Sequence, residues 1–188
     1  MNYLGHLYFS GDSHQLMTGN LLGDFFKGNK FDHIPDFLHR GIRLHRKIDS
    51  FMDNHPAVVD LNRKLYKDLP KVSPIVTDIV FDHLLAMRWD NYHTEKRTDF
   101  LNAFFTYALS RKHELPANCS LLIQRLADHK MIHKYDDPII LERIPEYIQS
   151  RLSFPSKIHR TREVFEAQED LFSEAFDRYM EDAKKEFL

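Results

Sequence analysis

Two stretches, GIRLHRKIDSFMD at residues 41–53 and SPIVTDIVFDHLLAMRW at residues 73–89, decide how this chain folds. A helix turns about 100° per residue, so positions four apart share a face. His45 and Asp49 have that spacing in the first stretch, and Asp78 and Asp82 have it in the second. Both faces otherwise read as core, with Ile48 and Met52 beside the first pair and Leu85 and Trp89 beside the second. The rest of the chain repeats the helical spacing of apolar residues and has no alternating strand pattern of any length. With only six glycines in 188 residues, the expectation is an all-α fold: one compact bundle of seven or eight helices forming a single domain over residues 1–188.

Local signals place the elements. Thr18-Gly19-Asn20 predicts the start of a short helix, LLGDFFKG, stopped by Gly28 and Asn29. A helix from Pro35 or Asp36 to Asp53 is closed by Asn54-His55-Pro56, and another covers Ala57 to Asp68. Ser73 as N-cap with Pro74 behind it predicts a helix reaching Trp89 to Tyr92. Further helices are predicted from Thr98, from Asn118 to about Ile132, from Pro138 to Arg151, and from Thr161 to Phe187.

Composition narrows the function. The chain is 43% apolar and 29% charged, as in a globular protein. The single cysteine, Cys119, excludes a disulfide framework and a cysteine zinc site. No apolar run approaches the ~20 residues of a membrane helix, and MNYLGHLYFSGD lacks the features of a signal peptide, so a cytoplasmic protein is expected. A net charge of −2 predicts neither a nucleic-acid nor a membrane partner. Nothing in the sequence marks an oligomeric state.

Acid usage is uneven. Residues 1–90 contain eleven Asp and no Glu, whereas residues 91–188 contain ten Glu and seven Asp. Asp is the poorer helix former, and its short side chain suits ligands held close to the backbone. Asp24 is out of place among Leu21, Leu22, Phe25 and Phe26. Carboxylates on apolar faces need partners, because desolvating a charge costs several kcal/mol. One His–Asp pair alone can satisfy itself; two such pairs plus Asp24 point to a cation shared between helices. Carboxylate with some imidazole and no thiolate suits Mn²⁺, or Mg²⁺ or Fe²⁺. The absence of Glu argues against a ferritin-type di-iron site.

The expected metal ligands are thus His45, Asp49, Asp78 and Asp82, with Asp24 as a further ligand or a catalytic base. His6 is an additional ligand or a supporting partner, and Asp53 and His83 are supporting candidates. Arg46, about 100° around the helix from His45, is placed to hold a phosphate oxygen. Arg40, Arg43 and Lys47 form a basic stripe facing away from the ligands. It reads either as a solvated face or as a docking rim.

MNYLGHL, GNLLGDFFKG, GIRLHRKIDSFMDNHP and PIVTDIVFDHLLAMRW, in this order and spacing, resemble the bacterial acyl carrier protein (ACP) phosphodiesterase family, also called ACP hydrolase. The resemblance covers residues 1–90. It implies an all-helical, metal-dependent relative of the HD-domain phosphohydrolases. It also implies that Mn²⁺ is used to cleave the phosphodiester joining 4′-phosphopantetheine to the serine of holo-ACP, giving apo-ACP. Asp24, His45, Asp49, Asp78, Asp82 and His6 match the family pattern. The adjacent His-Asp doublet of the wider superfamily is absent; Asp82-His83 is its reverse, so HD-type ligand assignments do not carry over by motif.

Two competing readings stay open. One is an HD-like phosphohydrolase acting on a nucleotide or another small phosphoester. The other is a non-catalytic helical binding module with structural, exposed aspartates. ACP is acidic, so an ACP enzyme is expected to carry a basic docking rim.

Overall fold

The computed structural model describes residues 2–28, 31 and 34–188. It is 74% helical, with no strand among the described residues. Among the described residues, ten α-helices run α1 (Tyr3–Tyr8), α2 (His14–Leu21), α3 (His39–Asn54), α4 (Pro56–Leu65), α5 (Ser73–Met87), α6 (Arg97–Ser110), α7 (Ala117–His129), α8 (Ile140–Gln149), α9 (Thr161–Ala167) and α10 (Glu169–Phe187). The all-α expectation holds, with more helices than the seven or eight expected. None is long and apolar enough to cross a membrane.

The first helices are α1 and α2, not LLGDFFKG. The Ser13 hydroxyl caps α2 by accepting the Leu16 N–H, so Thr18-Gly19-Asn20 lies inside that helix, and Gly23–Phe25 is a 3₁₀ turn. Asn29, the expected stop, lies outside the described residues. Pro56 opens α4 rather than merely closing α3, because it needs no amide partner at a helix start. Neither Ser73 nor Thr98 caps with its side chain; both sit within the first turn of their helices. Helix α7 stops at His129 because Lys130 turns left-handed, with φ 48°. The expected long final helix breaks at Gln168, whose φ of −135° leaves the helical range. No Gly or Pro marks that break. The Gln168 side chain instead donates to Asp68 beyond α4, a tertiary tie.

Packing around α3 positions everything that follows. Helix α2 crosses α3 where Gly19 faces Gly41. A Cβ on Gly19 would lie 2.4 Å from the Leu38 carbonyl oxygen, and one on Gly41 would lie 2.5 Å from the Asn20 nitrogen. Only glycine lets the backbones meet there. Helix α1 lies against α2 and α5, and α8 packs on α5. The core-facing side of α3 carries Ile42, Ile48 and Met52, all buried.

Candidate functional site: an imidazole pair facing a carboxylate cavity

His6 from α1 and His45 from α3 stack, ring centroids 4.1 Å apart and 19° from parallel. One residue between them, Asn20 of α2, fixes both. The His45 Nδ1–H donates to the Asn20 backbone carbonyl at 2.8 Å. His6 Nδ1 lies 2.8 Å from Asn20 Oδ1. The Asn20 Nδ2 group donates to the His6 carbonyl and to Ser10 Oγ, so Oδ1 is the acceptor and His6 Nδ1 carries the proton. Each ring is thereby left with its Nε2 lone pair pointing away from Asn20.

Both lone pairs meet Asp49. His6 Nε2 is 3.2 Å from Asp49 Oδ1, and His45 Nε2 is 3.1 Å from Asp49 Oδ2. Asp24 closes on the same nitrogen, at 3.2 Å from His45 Nε2. An imidazole acceptor facing a carboxylate is repulsive unless a proton or a cation lies between them. Burial lowers the His45 pKa, but its bonds to Asp24 and Asp49 outweigh that and lift it to about 9. Burial holds His6 below the ordinary imidazole value, and the His45 charge beside it adds to this. The bond from His45 keeps Asp24 low. For Asp49, burial acts upward, but the bonds from His45 and His6 prevail and hold it well below the usual carboxylate range.

The group opens into a cavity of about 360 Å³ whose walls include His6, Asp24, His45, Asp49, Asp53 and Asp78, with Asn2, Tyr3, Leu21, Met52, Ile75, Ile79 and Ile148. Asp53 is raised by burial and by the charges of Asp78 and Asp49. His6, His45 and Asp49 offer three donor atoms within 4.8 Å of one another, a spacing that suits one metal ion. Imidazole nitrogens oriented through their far N–H and a carboxylate between them are the donor chemistry of a divalent transition metal.

Four expectations change. The carboxylates do not share a sealed interior: the Asp24 side chain is 84% exposed and that of Asp49 42% exposed, so solvent in the cavity meets part of their charge. Asp82 is the fully buried acid, and it faces elsewhere. Its oxygens accept the N–H groups of Leu4 at 2.8 Å and Gly5 at 3.1 Å, two donors that the start of α1 leaves unpaired. Burial lifts its pKa to about 7. It ties the start of α1, and with it His6, to α5, and it lies outside the cavity lining. His83 donates to the Tyr135 carbonyl at 2.7 Å and meets Phe165 edge-on, outside the cavity. Arg46 donates to the carbonyls of Phe26 and Gly28, so it braces the loop after Asp24 and is not among the cavity residues. Arg40, Arg43 and Lys47 are exposed along a separate depression with Phe9, Leu44 and Phe187.

Two residues of the site escape a sequence reading. Asn20 is fully buried inside a helix; a poor helix former at such a place is the signal that could have exposed it. Gly23 lies against the His45 ring, where a Cβ would come within 2.2 Å of Cγ.

A family model described as acyl carrier protein phosphodiesterase matches residues 1–183. Proteins named acyl carrier protein phosphodiesterase from Salmonella dublin and Salmonella newport are each 38% identical over 109 residues, 57% of this chain and 54% of theirs. The match thus spans about half the length of these curated relatives. No solved structure matches the chain. On the family match across nearly all of its length, this chain belongs to the acyl carrier protein phosphodiesterase family.

Proposed function

We propose that the protein is a metal-dependent phosphodiesterase that hydrolyses the 4′-phosphopantetheine–serine phosphodiester of holo-ACP, releasing 4′-phosphopantetheine and apo-ACP. The observation that carries this reading is the pair of Nε2 lone pairs turned by Asn20 onto one carboxylate. That arrangement is stable with a cation or an added proton and poor without either. Mn²⁺ is the proposed ion, with Mg²⁺ or Fe²⁺ suited by the same donors. When bound, it supplies a water of lowered pKa and neutralises charge building on the phosphoryl oxygens.

The chain's own residues do the rest. His6, His45 and Asp49 would hold the ion, and Asn20 keeps both rings in the binding tautomer. Asp24, exposed at the edge and bonded to His45, is placed to take a proton from the attacking water. Asp78, on the α5 wall of the same cavity, orients that water or adds a ligand. Leu21, Met52, Ile75, Ile79 and Ile148 give the cavity apolar walls, which suit the methylene-rich arm of a pantetheine ester.

Purified protein incubated with holo-ACP and with a panel of nucleotides, with Mn²⁺ and with chelator, tests this. Phosphopantetheine release from ACP only with Mn²⁺ is the expected result. Turnover of nucleotides alone would replace the substrate while keeping the metal. No turnover of any of them would leave a binding module.

A further inference from the structure

The outer side of α3 carries a groove that the cavity chemistry does not use. Two depressions of about 500 and 560 Å³ flank the end of α10, and Lys47 and Phe187 line both, so they run into one another. Along α3 the groove extends from Arg40 to Asn54, about 20 Å at the helical rise per residue. Its floor is apolar. The Phe187 ring meets Phe9 at 5.6 Å and Phe51 at 5.4 Å between centroids, and Leu44 joins them.

The rim is basic. Arg40, Arg43 and Lys47 are exposed, and none has a carboxylate partner among the described residues, unlike Arg88, Arg97, Arg160 and Arg162. The Arg43 guanidinium lies 5.2 Å from the centre of the Phe31 ring, which restrains it while leaving its N–H fork free for an acid. Among the described lining residues the one acid is Glu186, in a chain whose net charge is −2. The groove also reaches the cavity along one edge of α3. Arg46 and Ser50 line the groove, while Asp49 and Asp53 line the cavity. Residues three apart on a helix are surface neighbours, so Arg46 adjoins Asp49 and Ser50 adjoins Asp53. A body seated in the groove therefore has its edge at the cavity mouth.

We propose that this groove docks the carrier protein through an acidic amphipathic helix, its apolar side on Phe51 and Phe187 and its carboxylates toward Arg40, Arg43 and Lys47. This rests on the phosphodiesterase reading above and adds where the protein part of that substrate sits. The groove length takes about four turns of helix. The basic row, placed away from the metal donors on the same helix, holds the acidic body while leaving the cavity free for the phosphodiester.

The test uses the Mn²⁺-loaded protein and compares the double variant Arg43→Glu/Lys47→Glu with Arg125→Glu, an exposed arginine of α7. The double variant is expected to raise KM for holo-ACP about 10-fold or more, with kcat within about twofold. Mn²⁺ affinity and melting temperature are expected to match the parent's, as is turnover of a phosphopantetheinyl-serine tripeptide, which lacks the carrier helix. The parent's KM is expected to rise with added salt more steeply than the variant's. Arg125→Glu is expected to match the parent throughout. An unchanged KM for holo-ACP in the double variant overturns the proposal, and so does an equal loss on the tripeptide. If the parent turns over no holo-ACP, the phosphodiesterase reading fails separately, and calorimetry with apo-ACP then decides the docking. Binding that the double variant weakens supports it; absent or unaltered binding overturns it. A parent dimer in sedimentation that the double variant disperses, with ACP binding unaltered, gives the groove to a second copy of this chain and also overturns it.

Discussion

His6 and His45 stack face to face at 4.1 Å, and they cannot both be charged without strong repulsion. In the metal-free protein the proton belongs to His45, lifted to about 9, while His6 stays neutral. A raised His pKa contributes stability that is complete below the unfolded value and is lost as pH rises through the folded one. Metal-free protein is therefore expected to lose about 1–3 kcal/mol of stability between pH ~6.5 and ~9. His6, with its lowered value, works the other way and costs stability as pH falls below its unfolded value. Urea unfolding in chelator from pH ~5 to ~9 measures both. A parent curve flat from pH 6.5 to 9, or one unchanged by His45→Gln, would show that His45 does not hold this proton.

Asn20→Ala removes the acceptor of the His6 proton and leaves both rings less constrained. Mn²⁺ binding is expected to weaken about 10–100-fold, the usual cost of losing a residue that orients metal ligands. Titration calorimetry at one pH reads this directly. In the parent, binding is expected to tighten as pH rises toward 9, because the metal must displace the His45 proton. Affinity equal to the parent's in Asn20→Ala would mean that the rings are positioned by packing alone.

Asp82 and Asp78 share a helix face yet are expected to give opposite phenotypes. Asp82→Asn leaves one oxygen for two N–H groups at the start of α1, and is expected to cost about 1–3 kcal/mol in thermal unfolding. Asp78→Ala, like Asp24→Ala, is expected to abolish turnover with helical content and melting temperature close to the parent's. Retained turnover in both Asp24→Ala and Asp78→Ala would remove this cavity as the active site.

Gly23→Ala adds one methyl where the His45 ring already sits. The ring or the turn must shift, at a cost of about 1–3 kcal/mol, and because His45 donates to Asn20 the metal group is disturbed with it. Loss of Mn²⁺ binding larger than the loss of stability is the expected signature. Parent-like binding would mean that the 3₁₀ turn yields instead.

Much of the candidate site was legible because helical periodicity states which side chains share a face. His45 with Asp49 and, across the cavity, Asp78 follow from that rule, and Asp24 stood out as an acid among apolar neighbours. Periodicity does not state what packs against the face. Asp82 has the same spacing as Asp78, but a segment 78 residues earlier places two backbone amides over it. Asn20 was hidden because its role joins a side chain and a carbonyl to two different helices. The break at Gln168 was hidden because no Gly or Pro marks it; the Gln168 side chain there reaches Asp68, far off in sequence.

The glycine contact between α2 and α3 has a consequence for the order in which the molecule assembles. His6, Asn20 and His45 are joined by pairings 14 and 25 residues apart, so closing those loops costs little chain entropy. Asp82 reaches α1 across 78 residues, and that closure costs more. Formation of the imidazole cradle is thus favoured before α5 arrives with Asp78 and Asp82. The nascent chain then carries the stacked imidazoles before it carries a closed cavity.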